Sequence, residues 1–433
     1  MDVDEIIWRP DPETAAKTRM AGFMKRHGLA TLADLQRRSI EDPEWYWDAV
    51  SRDLGFHWFT PYQRVLDASR GIAWPRWFPG GRLNLSYNAI DRHVAAGRGA
   101  HPAVIAEAED GTVRTLSYAE LAAEVGRLAN ALTRLGIRAG ETVGIFLPMC
   151  AEAVIATLAV ARIGAVYTPC FSGYGAQAVA SRLDGCGARL LITADAFARR
   201  GGVVPLKRTA DEAVSASPTV ERVIVHRRSG AEVPWKDGRD LWWHDVVAPE
   251  SPESAALPVE ADHPCLIIYT SGTTGRPKGT VLTHGGFSIK NAHDFAYLFD
   301  LGPHDRLFWV TDLGWLMGPM LIGGALLTGG TAVLFEGTPD YPKPDRLWSL
   351  LERHRVTVLG ISPTAVRALM PHGEEWVTRH DLSSLRIIKF LATTIEDDPA
   401  RAAVARQTFS AILDCAVPVI AAVNGPALGA GAV

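Results

Sequence analysis

From residue 96 onward the apolar positions fall into two alternating rhythms. Ser117-Tyr118-Ala119-Glu120 has capping-box spacing, and Leu121, Val125, Leu128, Leu132 and Leu135 follow at helical intervals, which predicts a helix. The run 143–147 reads as a buried strand, 151–163 as a helix, 165–168 as a strand, 176–183 as a helix and 190–193 as a strand. Strands that alternate with amphipathic helices imply a largely parallel sheet covered on both faces. Further on, 266–269, 280–283, 307–310 and 356–359 read as strands, with Asp312-Leu313-Gly314-Trp315 closing the third. A helix is expected over 345–354, and Ser362-Pro363-Thr364-Ala365 opens another.

The flanks follow other patterns. Residues 1–95 are rich in tryptophan and charge (Trp8, Trp45, Trp47, Trp58, Trp74, Trp77) and poor in strand-like runs, so they read as a helical extension packed on the main body. The stretch 249–264 combines prolines with acidic residues and reads as an exposed linker. Near the end, 401–413 favours a helix and 417–423 an apolar strand. The last eighteen residues, 416–433, are uncharged, but Pro418, Asn424 and Pro426 favour a buried strand and turn over a membrane span.

Composition narrows the function classes. Lys+Arg 44 against Asp+Glu 48 gives a net charge of −4, so there is no basic footprint for nucleic acid. The five cysteines (Cys150, Cys170, Cys186, Cys265, Cys415) are scattered without metal-ligand spacing, which suits a reduced, cytoplasmic protein. The acidic start Met1-Asp2-Val3-Asp4-Glu5 is unlike a secretory leader. His284 and His304 have no partner pattern and read as structural; spacing alone supports no catalytic triad, carboxylate pair or metal site.

The strongest chemical signal is Tyr269-Thr270-Ser271-Gly272-Thr273-Thr274-Gly275-Arg276-Pro277-Lys278-Gly279. Its glycines let backbone N–H groups approach a polyphosphate, its hydroxyls add hydrogen bonds, and Lys278 supplies charge. β-Branched residues follow it, so the loop joins two strands at a sheet edge, whereas a Walker-type loop opens into a helix. The alternative is an ordinary glycine-rich hairpin turn.

This segment resembles the signature of the adenylate-forming superfamily, whose members use ATP to convert a carboxylate into an acyl-adenylate and then usually pass the acyl group to a thiol. Trp77-Phe78-Pro79-Gly80-Gly81, Leu83-Asn84, Asn88 and Asp91-Arg92-His93 are similar to the N-terminal extension of acetyl- and propionyl-CoA synthetases. The resemblance implies an α/β fold of mixed, largely parallel sheets flanked by helices, an extension over 1–95 and an AMP-binding domain over 96–388. It implies ATP, Mg²⁺ and CoA as cofactors and a small carboxylate as substrate. Thr270, Ser271, Gly272, Thr273, Thr274, Gly275, Lys278 and Gly279 would bind the ATP phosphates. Phe171, Ser172 and Gly173, with Arg199, fall where CoA is contacted; Arg199 also reads as a solvated arginine beside Arg200. Trp315, Leu316 and Met317 correspond to the acyl pocket. Leu316 and Met317 replace a small Val-Thr pair, which leaves acetate, propionate, butyrate or plain core packing open.

The resemblance stops at Ile388. Lys389-Phe390-Leu391-Ala392-Thr393 stands where the family has a Gly-Glu-Pro segment that contacts adenine, and the expectation is a truncated domain without its small C-terminal partner. Residues 414–431 instead resemble the turn of the enoyl-CoA hydratase (crotonase) family, where Ala430 would be a remnant oxyanion donor and Val433 replaces a glutamate. Two readings follow for the whole chain. It is an AMP-forming short-chain acyl-CoA ligase impaired by truncation, or a non-catalytic chimera, with 389–433 as crotonase-like tail, that binds ATP or CoA weakly.

Overall fold

In the computed structural model, residues 11–71, 73–270 and 277–390 are described. The strands of its two large sheets are, in chain order, β1 (Pro102–Glu107), β2 (Val113–Ser117), β3 (Thr142–Phe146), β4 (Val166–Pro169), β5 (Leu190–Ala194), β6 (Arg222–His226) and β7 (Asp240–Trp242). They continue with β8 (Pro264–Thr270), β9 (Lys278–Thr283), β10 (Arg306–Trp309), β11 (Thr331–Phe335), β12 (Val358–Ile361) and β13 (Ile387–Phe390). One sheet has seven strands in the order β7-β6-β5-β3-β4-β8-β9; the other has six in the order β13-β12-β10-β11-β1-β2. Every pairing is parallel except β8–β9 and β1–β2 at the two edges. This is the expected α/β architecture.

The helix Ala151–Arg162 is buried along its whole length and touches β1, β3, β4 and the helix Tyr118–Arg134, so both sheets share it. Its last carbonyls need partners, and the side-chain amide of buried Asn84 supplies one, its Nδ2 shared between Ala161 O at 3.1 Å and Arg162 O at 3.2 Å while also bonding Leu257 O, outside the helix, at 2.9 Å. Arg162 in turn forms a two-pronged ion pair with Asp91 at 2.8 and 2.7 Å. Two positions of the extension motif, Asn84 and Asp91, are therefore structural fasteners.

The N-terminal helices Pro12–Lys17, Arg19–Arg26, Leu32–Glu41 and Pro43–Asp53 agree with a helical extension. They dock through aromatic contacts, with Phe23 and Tyr297 rings 5.2 Å apart and the Tyr46 hydroxyl 2.6 Å from His293 Nε2. The expected linker is exposed over most of 249–257, as its prolines and charges imply, but it is not free of the core. Val259–Glu260 pairs with Arg82–Leu83, and Ser254 O accepts from Arg162 Nε at 2.8 Å. Pro252 O lies 1.9 Å from where a Cβ on Gly126 would stand. The segment is a strap laid on the core, held there by its carbonyls. The tail expectations for 401–433, including Ala430, lie outside the described residues, and no described helix is long and apolar enough to cross a membrane.

Candidate active site

The segments singled out in the sequence leave the carboxyl ends of neighbouring strands. In parallel α/β sheets that is where ligands bind. β4 runs into Cys170-Phe171-Ser172-Gly173, and its parallel neighbour β8 runs into the hydroxyl-rich loop, with Leu266 opposite Tyr167. Thr168 Oγ1 donates to Ile267 O at 3.0 Å and ties the two exits together. β8 and β9 then form an antiparallel hairpin in which Thr270 faces Lys278 and Tyr269 faces Gly279. Lys278 therefore begins an edge strand, as its β-branched followers imply, and a helix-opening phosphate loop is excluded. Thr270, Lys278 and Gly279 are exposed, and no described residue holds the Lys278 ammonium. Ser271, Gly272, Thr273, Thr274 and Gly275 lie outside the described residues.

From the other sheet, β10 runs into 310–318. Gly314 packs so tightly that a Cβ on it would lie 2.0 Å from Phe171 N and 2.3 Å from Phe171 Cα. The Phe171 and Trp315 rings are 5.8 Å apart, and Tyr174 meets Phe171 edge-on at 5.3 Å. Trp315 is 54% exposed and Leu316 42%, so core packing does not explain either of them; Met317, half-buried, begins the helix Met317–Leu327.

At the centre of this contact lies a residue with no sequence signature of its own. Asp312, buried, accepts from Ser172 Oγ at 2.6 Å, Ser172 N at 3.2 Å and Gly314 N at 2.9 Å. Burial pushes its carboxyl up, partly offset by these donors and by the positive charge of Arg199. A lone Asp closing a strand carries no chemical signature; only the fold reveals its partners. Arg199 ends one strand of the hairpin Phe197–Arg199 and Gly202–Val204 and is exposed, with no described residue on its guanidinium. Arg200 differs, since Asp340 holds its side chain at 2.8 Å. Among the described residues no His/Cys/Asp/Glu cluster could hold a metal ion. His284 is fully buried and its Nδ1 accepts from Leu85 N at 3.1 Å, a structural role as expected; His304 is exposed.

Loops gathered at strand ends around an exposed tryptophan and a lysine-bearing hairpin are the arrangement in which α/β domains place ligands. The chain belongs to the AMP-binding enzyme family, which matches residues 91–415, and so to the adenylate-forming acyl-CoA synthetases; residues 32–89 match the acetyl-coenzyme A synthetase N-terminus. It is 42% identical over 393 residues to an acetyl-coenzyme A synthetase of Rhodopirellula baltica, covering 89% of this chain and 57% of that protein. With the Deinococcus radiodurans acetyl-coenzyme A synthetase it shares 45% identity over 387 residues, 88% of this chain and 58% of the relative. A 3-hydroxypropionyl-coenzyme A synthetase of Sulfurisphaera tokodaii is 43% identical over 360 residues, 82% of this chain and 54% of the relative. The solved acetoacetyl-CoA synthetase of Streptomyces lividans superposes with a TM-score of 0.85 at 31% identity, covering 96% of this chain and 64% of that one. The chain thus spans less than two thirds of the length of these proteins.

Proposed function

We propose that the chain is built for AMP-forming activation of a short-chain carboxylate, an acid–thiol ligase reaction. A carboxylate oxygen attacks the α-phosphate of ATP to give acyl-AMP and pyrophosphate, and the thiol of CoA then takes the acyl group and releases AMP. The observation that carries this reading is that the Phe171 loop and the Lys278 hairpin leave the paired strands β4 and β8 of one sheet while the Trp315 segment, leaving β10 of the other, packs on Phe171. In it, Lys278 offsets phosphate charge with Thr270, Ser271, Gly272, Thr273, Thr274, Gly275 and Gly279 as the cradle. Mg²⁺ would arrive on the ATP phosphates and neutralise the leaving group. Trp315, Leu316 and Met317 face the acyl chain, and Phe171, Gly173 and Arg199 face CoA, with Ser172 in the same CoA loop but its own side chain buried on Asp312.

The names of the relatives support acetate, 3-hydroxypropionate and acetoacetate as the acids to try first. The domain division follows the same reading: extension 1–95, AMP-binding domain 96–388, and 389–433 as a crotonase-derived tail, supported by the residues of 414–431; against that boundary, β13 carries the sheet to Phe390 and the family match runs to 415. A cytoplasmic location fits the proposed cosubstrates.

A second reading, weak ATP or CoA binding without turnover, is favoured by Lys389. It occupies the start of the segment expected to contact adenine, yet it is buried with its ammonium 3.7 Å over the Phe299 ring, and burial pushes its pKa down to about 8. Pyrophosphate release from ATP and Mg²⁺ with a panel of small carboxylates separates the two. Acid-dependent release that is lost in Lys278→Ala supports ligase chemistry. Saturable ATP binding without release supports the second reading, and the absence of both rejects the site.

A further inference from the structure

We infer that Asp312 is a positioning residue that makes the Phe171 loop and the Trp315 segment one mechanical unit, so that a ligand on one changes the affinity of the other. This deepens the proposed function, since it rests on those segments facing CoA and the acyl group.

Three observations meet at this carboxylate. Both of its oxygens are committed: Oδ2 takes the Ser172 hydroxyl, and Oδ1 takes Ser172 N and Gly314 N, one donor from each side of the seam. Asp312 and Ser172 are both buried, so water does not substitute freely for a lost partner, and an orphaned group there bears its full desolvation cost. The seam has no slack. Gly314 lies against the Phe171 backbone, and a Cβ on Gly318 would stand 2.4 Å from Asp312 O. The Asp312 carbonyl also accepts from Trp315 N at 3.1 Å, so the residue fixes the turn that aims the exposed indole. A displacement of Phe171 is thus passed through Ser172 and Asp312 to Trp315, and the reverse. Arg199 adds charge to the same carboxylate without a described contact, which connects a CoA-facing cation to the acyl-facing turn.

The test compares the full chain with Asp312→Ala, Asp312→Asn and Ser172→Ala by amide hydrogen exchange, with and without CoA. Asp312→Ala should speed exchange in 170–175 and in 312–318 together while β3 stays protected. Asp312→Asn should restore wild-type exchange, because its Oδ1 still accepts both N–H groups and Ser172 can turn its hydroxyl to accept from the new amide. Ser172→Ala, the mildest change, should loosen the same two segments to a lesser degree and decides the matter if Asp312→Ala unfolds. With CoA present, protection should appear in both segments of the wild type, and CoA should bind Asp312→Ala about 10-fold more weakly. Loosening confined to one segment, or no rescue by Asn, overturns the positioning role. Coupled loosening without any CoA protection in the wild type supports the mechanical unit and removes only the CoA reading.

Discussion

Replacing Gly314 by alanine puts the central packing of the site under direct test. The added Cβ would sit 2.0 Å from Phe171 N and 2.7 Å from Cys170 C, where ordinary contact begins at 3.4 Å. The difference between 3.4 and 2.0 Å is a forced separation of about 1.4 Å between two backbones. Neither yields easily. Cys170 N donates to Ile145 O at 2.8 Å, and Gly314 N is held by Asp312 at 2.9 Å. An overpacked core position of this kind costs about 1–3 kcal/mol, and the upper end is expected because no flexible side-chain tip can move aside. For the site the displacement matters more, since a misplacement of about 1 Å costs about 100-fold where reacting groups must be aligned. Urea unfolding followed by tryptophan fluorescence should give a lowered midpoint with an unchanged slope. Thiol-dependent acyl transfer, where the chain shows it, should fall further than acyl-adenylate formation. A Gly314→Ala protein with wild-type stability and unaltered exchange in 170–175 would refute the claim that the two segments touch through backbone.

Other predictions probe the body of the fold. Lys207 is fully buried with its ammonium 2.7 Å from Asp211 and 2.8 Å from Asp240, itself fully buried, and Arg239 also holds Asp240 at 2.6 Å. Lys207→Met therefore leaves Asp240 paired and should cost about 1.5–3 kcal/mol in urea unfolding through the lost charged hydrogen bonds. Burial pushes His284 down from 6.5 to about 3. Because the unfolded chain then binds the proton more tightly, stability from this group is present above pH 6.5 and lost as pH falls. About 2 kcal/mol should go between pH 6.5 and 5, and His284→Gln should reduce that slope in acid-unfolding curves. Glu336 moves the opposite way: burial lifts it from 4.5 to about 7 despite its ion pair with Arg228, so the folded state holds the proton more tightly. The stability difference between wild type and Glu336→Gln should therefore shift against the wild type as pH rises from 4.5 to 7, measured by denaturant midpoints at each pH.

Continuous apolar runs bounded by turn residues are enough to locate the buried elements. Expected helix 151–163 is observed as Ala151–Arg162, and expected strand 190–193 as Leu190–Ala194. Patterning failed where burial overrode propensity. The helix Met317–Leu327 reads MGPMLIGGALL and has no counterpart among the expected elements, because glycine and proline are weak helix formers. It is a helix because those glycines admit neighbours: a Cβ on Gly324 would meet the Phe295 ring at 2.4 Å, and one on Gly323 would meet Asn291 Nδ2 at 2.3 Å. The strand expected at 356–359 is displaced to Val358–Ile361, since Thr357 turns its hydroxyl to Asp305 at 2.7 Å and Gly360 breaks the apolar run on which the reading relied. The candidate site was legible as separate motifs but not as a constellation. Nothing in the spacing of Ser172 and Asp312, 140 residues apart, announces that they bond.

The pairing of β4 with β8 has a consequence for how the protein is made. The Thr168 hydroxyl waits for a carbonyl 99 residues downstream. At about 5–20 residues per second, a ribosome delivers that partner roughly 5–20 s after β4 has emerged. Throughout that interval the half-built sheet presents an unpaired apolar edge, ending at the loop that later faces the hairpin. The nascent chain therefore passes through a stage in which an open apolar border ends at the candidate site, and slow translation after residue 170 should lengthen the chain's dependence on chaperones.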